Sequence, residues 1–203
     1  MMRRVIAFLL FASCLPIAHA GYADGLISVG EYEGAVTWRY ANPPLIVDGG
    51  GADRISVRDN GRLEVRSTSK PLGMDIGGVY DIVLYNNSHL LYTGGLTELI
   101  TIGSSATAEL KGGSINYIKS MQFTEMTGAD PHIDLYCQKG WSWISDNPLL
   151  GIEGLWMDGS PFSIEFINHA DFDPVWTNIN VITPEPATLA LLGLGGLLLR
   201  RRK

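Results

Sequence analysis

The chain has 203 residues, 46% of them hydrophobic and 18% charged, with 21 Asp plus Glu against 15 Lys plus Arg. This is the composition of a globular domain with short additions, and its acidic balance argues against nucleic acid or anionic lipid as partners. Two cysteines, Cys14 and Cys137, are too few for a disulfide framework.

Residues 1–20 read as a secretory signal peptide. Arg3 and Arg4 form a positive start, Val5 to Leu15 is an apolar run of eleven, and Ala18-His19-Ala20 supplies small residues for cleavage before Gly21. A second reading takes Phe11-Ala12-Ser13-Cys14 as a lipoprotein box that acylates Cys14, although an aliphatic residue is more usual where Phe11 stands. With the signal removed, Cys137 is alone beside Leu135, Tyr136 and Trp141, and its expected role is that of a small buried hydrophobe.

From Gly21 to Thr183 there are 20 acidic and 9 basic side chains, a net charge of −11. Helical periodicity is absent, and short alternating apolar runs are broken by Gly, Asn, Asp and Ser. The runs Gly30 to Trp38 and Asp48 to Asp53 hold glycines that suggest turns, because no helix pattern follows them.

Within residues 21–120 the pattern repeats. Ile55, Val57, Leu63 and Val65 stand at relative positions 0, 2, 8 and 10; Ile82, Leu84, Leu90 and Tyr92 have the same spacing, as do Ile100, Ile102, Ala108 and Leu110. Ile27, Val29, Val36 and Trp38 fit the scheme with one inserted residue. Each unit predicts a strand, a three-residue turn and a second strand, with Asn60, Asn87 and Ser105 at the middle of the turns. Stacked units make a parallel β-helix, in which those three residues form a polar ladder and extra chain bulges at Ser67 to Gly78. A hairpin reading, within an antiparallel β-sandwich, sets Arg58 opposite Arg62 and lacks the expected glycine at Ser88 and Ala106. The β-helix is therefore the expected fold.

Residues 121–183 depart from the repeat and predict an antiparallel, aromatic-rich cap. Gly154 to Met157 and Phe162 to Phe166 flank the turn Asp158-Gly159-Ser160-Pro161, and His132 to Tyr136 and Val175 to Val181 are further strand candidates. Four of the five tryptophans (Trp141, Trp143, Trp156, Trp176) lie here, suited to covering an open end.

Candidate chemistry is sparse. Asp48, Asp53, Asp59, Asp75 and Asp81, with Arg54, Arg58 and Arg62, are the acidic and basic groups a polysaccharide-acting enzyme on a β-helix would use, but most fall in predicted turns. His132 with Asp134, and Asp171 with Asp173, are weak metal signals. His89 and His169 read as surface residues. No regular Thr-x-Thr array marks a flat ice-binding face. The expectation is no enzyme, no cofactor and no metal.

The last twenty residues carry the most specific signal. Pro184-Glu185-Pro186 is followed by thirteen uncharged residues, Ala187 to Leu199, and then by Arg200, Arg201, Arg202 and Lys203. At 1.5 Å per residue this apolar stretch spans about 20 Å, against roughly 30 Å of hydrocarbon, so it is short for a permanent span. Its basic end would stay cytoplasmic. In this order the three parts resemble the PEP-CTERM sorting signal of bacteria that make exopolysaccharide. The resemblance implies recognition by an exosortase-type membrane protease and removal of the tail near Pro184 to Pro186. The expected partners are signal peptidase and the exosortase, with exopolysaccharide a further candidate. The expected location is the cell envelope or the extracellular matrix, after transient inner-membrane anchoring through the tail. The role expected there is structural or adhesive, with a carbohydrate-binding module as an alternative.

Overall fold

The computed structural model describes residues 24–69, 78–103, 105–121 and 129–184. The two terminal signals, including the N-terminal signal helix and the short C-terminal apolar helix expected from sequence, lie outside these apart from Thr183 and Pro184. Among the described residues no helix is long and apolar enough to cross a membrane.

The described fold is all-β. In chain order the strands begin with β1 (Leu26–Ser28), β2 (Tyr32–Trp38), β3 (Leu45–Asp48), β4 (Gly51–Val57), β5 (Arg62–Ser67), β6 (Val79–Leu84), β7 (His89–Tyr92) and β8 (Leu96–Ile102). They continue with β9 (Thr107–Leu110), β10 (Ser114–Ser120), β11 (His132–Tyr136), β12 (Ser142–Trp143), β13 (Gly151–Leu155), β14 (Pro161–Ile167) and β15 (Ile179–Ile182). Two short 3-10 turns, Ile144–Asp146 and Val175–Asn178, complete the set.

The odd-numbered strands β1, β3, β5, β7, β9, β11 and β15 form one wholly parallel sheet in that order. The second sheet is parallel from β2 through β4, β6, β8 and β10 to β14, and antiparallel where β13 and β12 extend it. Up to β11 the chain visits the two sheets alternately. Parallel neighbours need a long crossover, and here each crossover is itself a strand of the other sheet. Neither the hairpin reading nor an antiparallel sandwich survives this pairing.

The repeat read from sequence is the register of the sheets. Ile55 pairs with Ile82, Ile82 with Ile100, and Ile100 with Ile118, while Leu63 pairs with Leu90, Leu90 with Ala108, and Ala108 with Ile133. Ile82, Ile100 and Ile118 are 18 residues apart, so 18 is the length of a unit without insertions. The inward rows of both sheets form one hydrophobic cluster, with Ile55, Ile82, Leu63 and Leu90 fully buried. Each such side chain contributes about 1.5–3 kcal/mol through burial, and the rows stack like on like along the sheets.

The first unit is a correction. Val36 and Trp38 pair with Ile55 and Val57, so they occupy positions 0 and 2, and Leu45 and Val47 complete the unit against Leu63 and Val65. Ile27 belongs to the preceding unit, paired with Val47, and Val29 is 79% exposed, unlike a core position. The inserted residue lies in the turn that carries Pro43 and Pro44.

Two kinds of corner join the strands. The first is a tight turn in which the N–H of Gly61, Ser88 and Ala106 donates to the carbonyl three residues earlier, at 2.9, 3.2 and 3.2 Å. Those three residues are buried, and a Cβ on Gly61 would stand 2.8 Å from the Trp38 carbonyl oxygen, hence the run of small side chains. The polar ladder falls one position earlier than expected: Asn86 Nδ2 donates to Asp59 Oδ1 at 3.3 Å, and both residues have the left-handed backbone that Asn and Asp tolerate. The second corner carries Gly49-Gly50, Gly94-Gly95 and Gly112-Gly113. A Cβ on Gly112 would lie 2.6 Å from the Thr93 carbonyl oxygen of the unit beneath.

Beyond Met121 the parallel pattern goes on. β11 and β15 extend the odd sheet and β14 lies parallel on β10, so the antiparallel part is confined to β12 and β13 with β14. The expected hairpin is present, its first strand Gly151–Leu155 starting earlier than Gly154. The strand expected from Val175 begins only at Ile179, after the 3-10 turn. Phe166 aligns with Ile118 although 48 residues separate them, so the spacing of the earlier units is lost here.

Candidate functional site

The acidic and basic residues singled out from sequence are not gathered into one place. On the outer face of the even sheet, Arg54 Nε and Asp81 Oδ2 form an ion pair at 2.8 Å, and Tyr32 Oη donates to Asp53 Oδ1 at 2.8 Å. Burial and that carboxylate together push the Tyr32 phenol up to about 12. Asp48 accepts from Ser67 at the odd sheet, Asp59 lies 3.9 Å from Arg39 at a corner, and Arg58 stacks over the Tyr85 ring at 4.7 Å. Arg62 is in register with His89. Each contact ties neighbouring units together, which is a structural use of the group. Asp75 lies outside the described residues. Asp81 carries one anomaly: its Oδ1 is buried without a hydrogen-bond partner.

A denser constellation occupies the outer face of the odd sheet. Outward positions of β7, β9 and β11 bring His89, Thr107 and His132 into one column, and Leu91, Glu109 and Asp134 into the next. Glu109 lies 2.5 Å from Lys111 Nζ and 3.7 Å from His89 Nε2, while His89 Nδ1 is 2.8 Å from Thr107 Oγ1. Asp134 Oδ1 contacts His132 Nε2 at 2.9 Å and accepts from Asn180 Nδ2 at 2.8 Å. Lys111 also caps the Tyr136 ring at 4.7 Å. Burial lowers the His89 pKa below the usual imidazole value and outweighs the pull of Glu109. The strip runs across β5, β7, β9, β11 and β15, about 19 Å at 4.7–4.9 Å per strand. It presents donors, acceptors and both charge signs on one sheet face. The sequence reading isolated only His132 and Asp134, because the other members join them by stacking across units. The signal that could have found the strip was the column Arg62, His89, Thr107 at position 7 of the repeat.

At the C-terminal end the tryptophans play different parts rather than forming a row. Trp156 is fully buried, donates from Nε1 to the Gly113 carbonyl at 2.8 Å and packs on Phe162 with ring centres 4.4 Å apart. Trp141 and Trp143 meet edge to face at 5.1 Å and are partly buried against the core, whereas Trp176 is 40% exposed. Cys137 is buried beside this cluster, and burial raises its thiol pKa. Among the described residues no group of three or more His, Cys, Asp or Glu side chains is placed to hold a metal ion, Asp171 and Asp173 included.

Chain exit completes the picture. β15 ends at Ile182, and Pro184, the first residue of the sorting motif, is exposed two residues later. Residues 183–203 match the family model of the PEP-CTERM protein-sorting motif. The match supports an exported, envelope-associated protein processed by an exosortase, and it covers the tail alone. No curated protein and no solved structure matches the chain.

Proposed function

We propose that this is an exported cell-envelope or extracellular-matrix protein with a structural or adhesive role and no catalytic one. Its body is a β-solenoid, a reading supported by alternation between two sheets up to β11 and by the stacking of the inward positions of successive units. The hairpin β13–β14, extended by β12 and with Trp156 packed on Phe162 at its turn end, serves as the cap of the last unit. Signal peptidase removes residues 1–20 at Ala18, Ala20 and Gly21. Ala187 to Leu199 then holds the protein in the inner membrane, with Arg200 to Lys203 on the cytoplasmic side, until an exosortase cuts near Pro184, Glu185 and Pro186. The observation that carries this reading is an exposed Pro184 leading out of the final strand into a segment that matches a sorting motif. A rigid, acidic rod suits a hydrated polysaccharide layer, where the strip around His89, Glu109, Lys111 and Asp134 offers hydrogen bonds and ion pairs to a sugar chain.

Mass spectrometry of both ends of the protein recovered from the native envelope tests the sorting. A mature start at Gly21 and loss of Ala187 to Lys203 are expected; an intact Lys203 in secreted material overturns the assignment. One observation favours a second reading, a polysaccharide-acting enzyme: Glu109 and Asp134 are register partners on adjacent strands, flanked by two histidines and a lysine. Turnover of an acidic polysaccharide that Glu109→Gln abolishes would move the assignment to that reading.

A further inference from the structure

The two ends of the stack differ in how their strand edges are finished. At the C-terminal end the even sheet stops in β12, a strand of two residues laid antiparallel on β13, with 3-10 turns on either side of the hairpin. At the N-terminal end it stops in β2, seven residues long, which among the described residues pairs only with β4. β2 contains no proline and no lysine, the residues that usually blunt an edge. Its backbone direction is fixed by the ladder, since Arg58 N–H donates to the Trp38 carbonyl at 2.9 Å. Peptide groups alternate along a strand, so the N–H of Thr37 points away from β4 toward the open edge. Among the described residues, the exposed large apolar side chains Leu26, Val29 and Tyr40 lie just before and just after this strand, while Leu149, Leu150, Leu155, Met157 and Trp176 belong to the C-terminal part.

We propose that β2 is a self-pairing edge, joining two copies of the chain antiparallel about a twofold axis. A row of open backbone donors and acceptors is a template for another strand edge, and at the opposite end the even sheet offers only the two-residue β12. The partner edge is therefore the same β2 of a second copy. Charge agrees with that alignment. Glu31 and Glu33 lie at the start of β2 and Arg39 follows its end, so an antiparallel alignment centred on Ala35 sets Glu31 across from the partner's Arg39. It also brings Val29 near the partner's Tyr40, covering both. An isologous pair closes on itself and leaves no further free edge of this kind. Each odd sheet of seven strands is roughly 30 Å deep at 4.7–4.9 Å per step, so the two Pro184 exits would stand on the order of 60 Å apart at opposite ends. The pair would be a two-ended connector. This inference is independent of the sorting reading, since it uses only the folded body.

The test uses protein recovered from the envelope of cells expressing the full chain. Sedimentation equilibrium should give the mass of two chains, and Thr37→Pro should give that of one with an unchanged far-UV spectrum, because the lost N–H serves no bond to β4. Ala35→Cys should form an intermolecular disulfide under mild oxidation, giving a doubled band on a non-reducing gel, while Leu150→Cys at the far end should not. A single-chain mass for the unaltered protein, or cross-linking through Leu150→Cys and not through Ala35→Cys, overturns the proposal. Should Thr37→Pro fail to fold, the cross-linking pattern alone decides.

Discussion

Trp156 ties the hairpin end of the chain to the repetitive part, and its replacement should be felt across the whole body. The side chain is fully buried, stacks on Phe162 and donates to the carbonyl of Gly113 at the corner before β10. Trp156→Ala removes the ring and leaves a void, at a cost of about 3–5 kcal/mol. Trp156→Phe keeps most of the packing and loses the indole N–H. Leaving a partly buried carbonyl unpaired costs about 1–3 kcal/mol, and the half-exposed position of Gly113 argues for the lower part of that range. A domain of this size loses about 2–4 °C in Tm per kcal/mol, so the alanine variant should melt roughly 6–20 °C lower and the phenylalanine variant roughly 2–8 °C lower. Urea unfolding of protein recovered from the envelope, followed by far-UV dichroism and by tryptophan fluorescence, should give one coincident transition for each variant. Two separated transitions, or a loss below about 1 kcal/mol for Trp156→Ala, would refute the claim that residues 129–183 and the repeat form one cooperative unit.

Other outcomes follow from the same geometry. Gly112→Ala should destabilise by about 1–3 kcal/mol in urea titration, since its Cβ would press on the Thr93 carbonyl oxygen at 2.6 Å from a corner that cannot retreat. Asp81→Val should leave stability unchanged or raise it by up to about 2 kcal/mol, because it removes a buried oxygen without a partner while the Arg54 side chain, 60% exposed, returns to water. His89 is held neutral by burial among Glu109, Arg62, Lys111 and Glu64, so its folded pKa lies below its unfolded value near 6.5. Its contribution is then present above that pH and lost as pH falls through it, and Tm measured from pH 7.5 to 5 should fall less steeply for His89→Gln than for the unaltered protein. Cys137, buried with a raised thiol pKa, should resist an aqueous thiol reagent until urea unfolds the chain, and labelling in the native state would contradict its placement.

The repeat was legible where the four apolar positions within a unit keep their spacing, even when extra chain separates one unit from the next. Ile55, Ile82 and Ile100 announce themselves because each is followed at the same intervals by three more apolar residues, and the core requires those intervals. Legibility failed where extra chain fell inside a unit. Pro43 and Pro44 break the stretch from Trp38 to Leu45, so a unit of the same kind was shifted onto Ile27 and Val29. The segment beyond Met121 looked like an antiparallel cap of the same domain because its strands are spaced more widely than those of the earlier units, most of all between β11 and β14. Even so, Ile133 and Ile179 fall into the row begun by Leu45. The paired glycines at 94–95 and 112–113 were a usable signal of the second corner, since backbone of successive units approaches too closely there for any Cβ. The outer strip was not legible, because His89, Glu109 and Asp134 have no shared motif and meet only through stacking.

A stack of this kind tolerates insertion at every corner, provided the inward positions keep their register. The long excursions before β6, before β11 and between β11 and β14 leave the rows of Ile82, Ile100 and Ile118 intact, since each unit is held by its two neighbours rather than by distant contacts. Such a body sets length and stiffness without prescribing what the outer faces carry. Its terminal units therefore matter most. The C-terminal one is finished by a hairpin and hands the chain to the tail at Pro184, whereas the N-terminal one presents β2. If the tail anchors the chain as proposed, the hairpin end faces the bilayer and β2 lies at the opposite end of the two sheets. A surface that meets its own copy there, and releases the tail at the other end, would place every junction away from the membrane that delivered it.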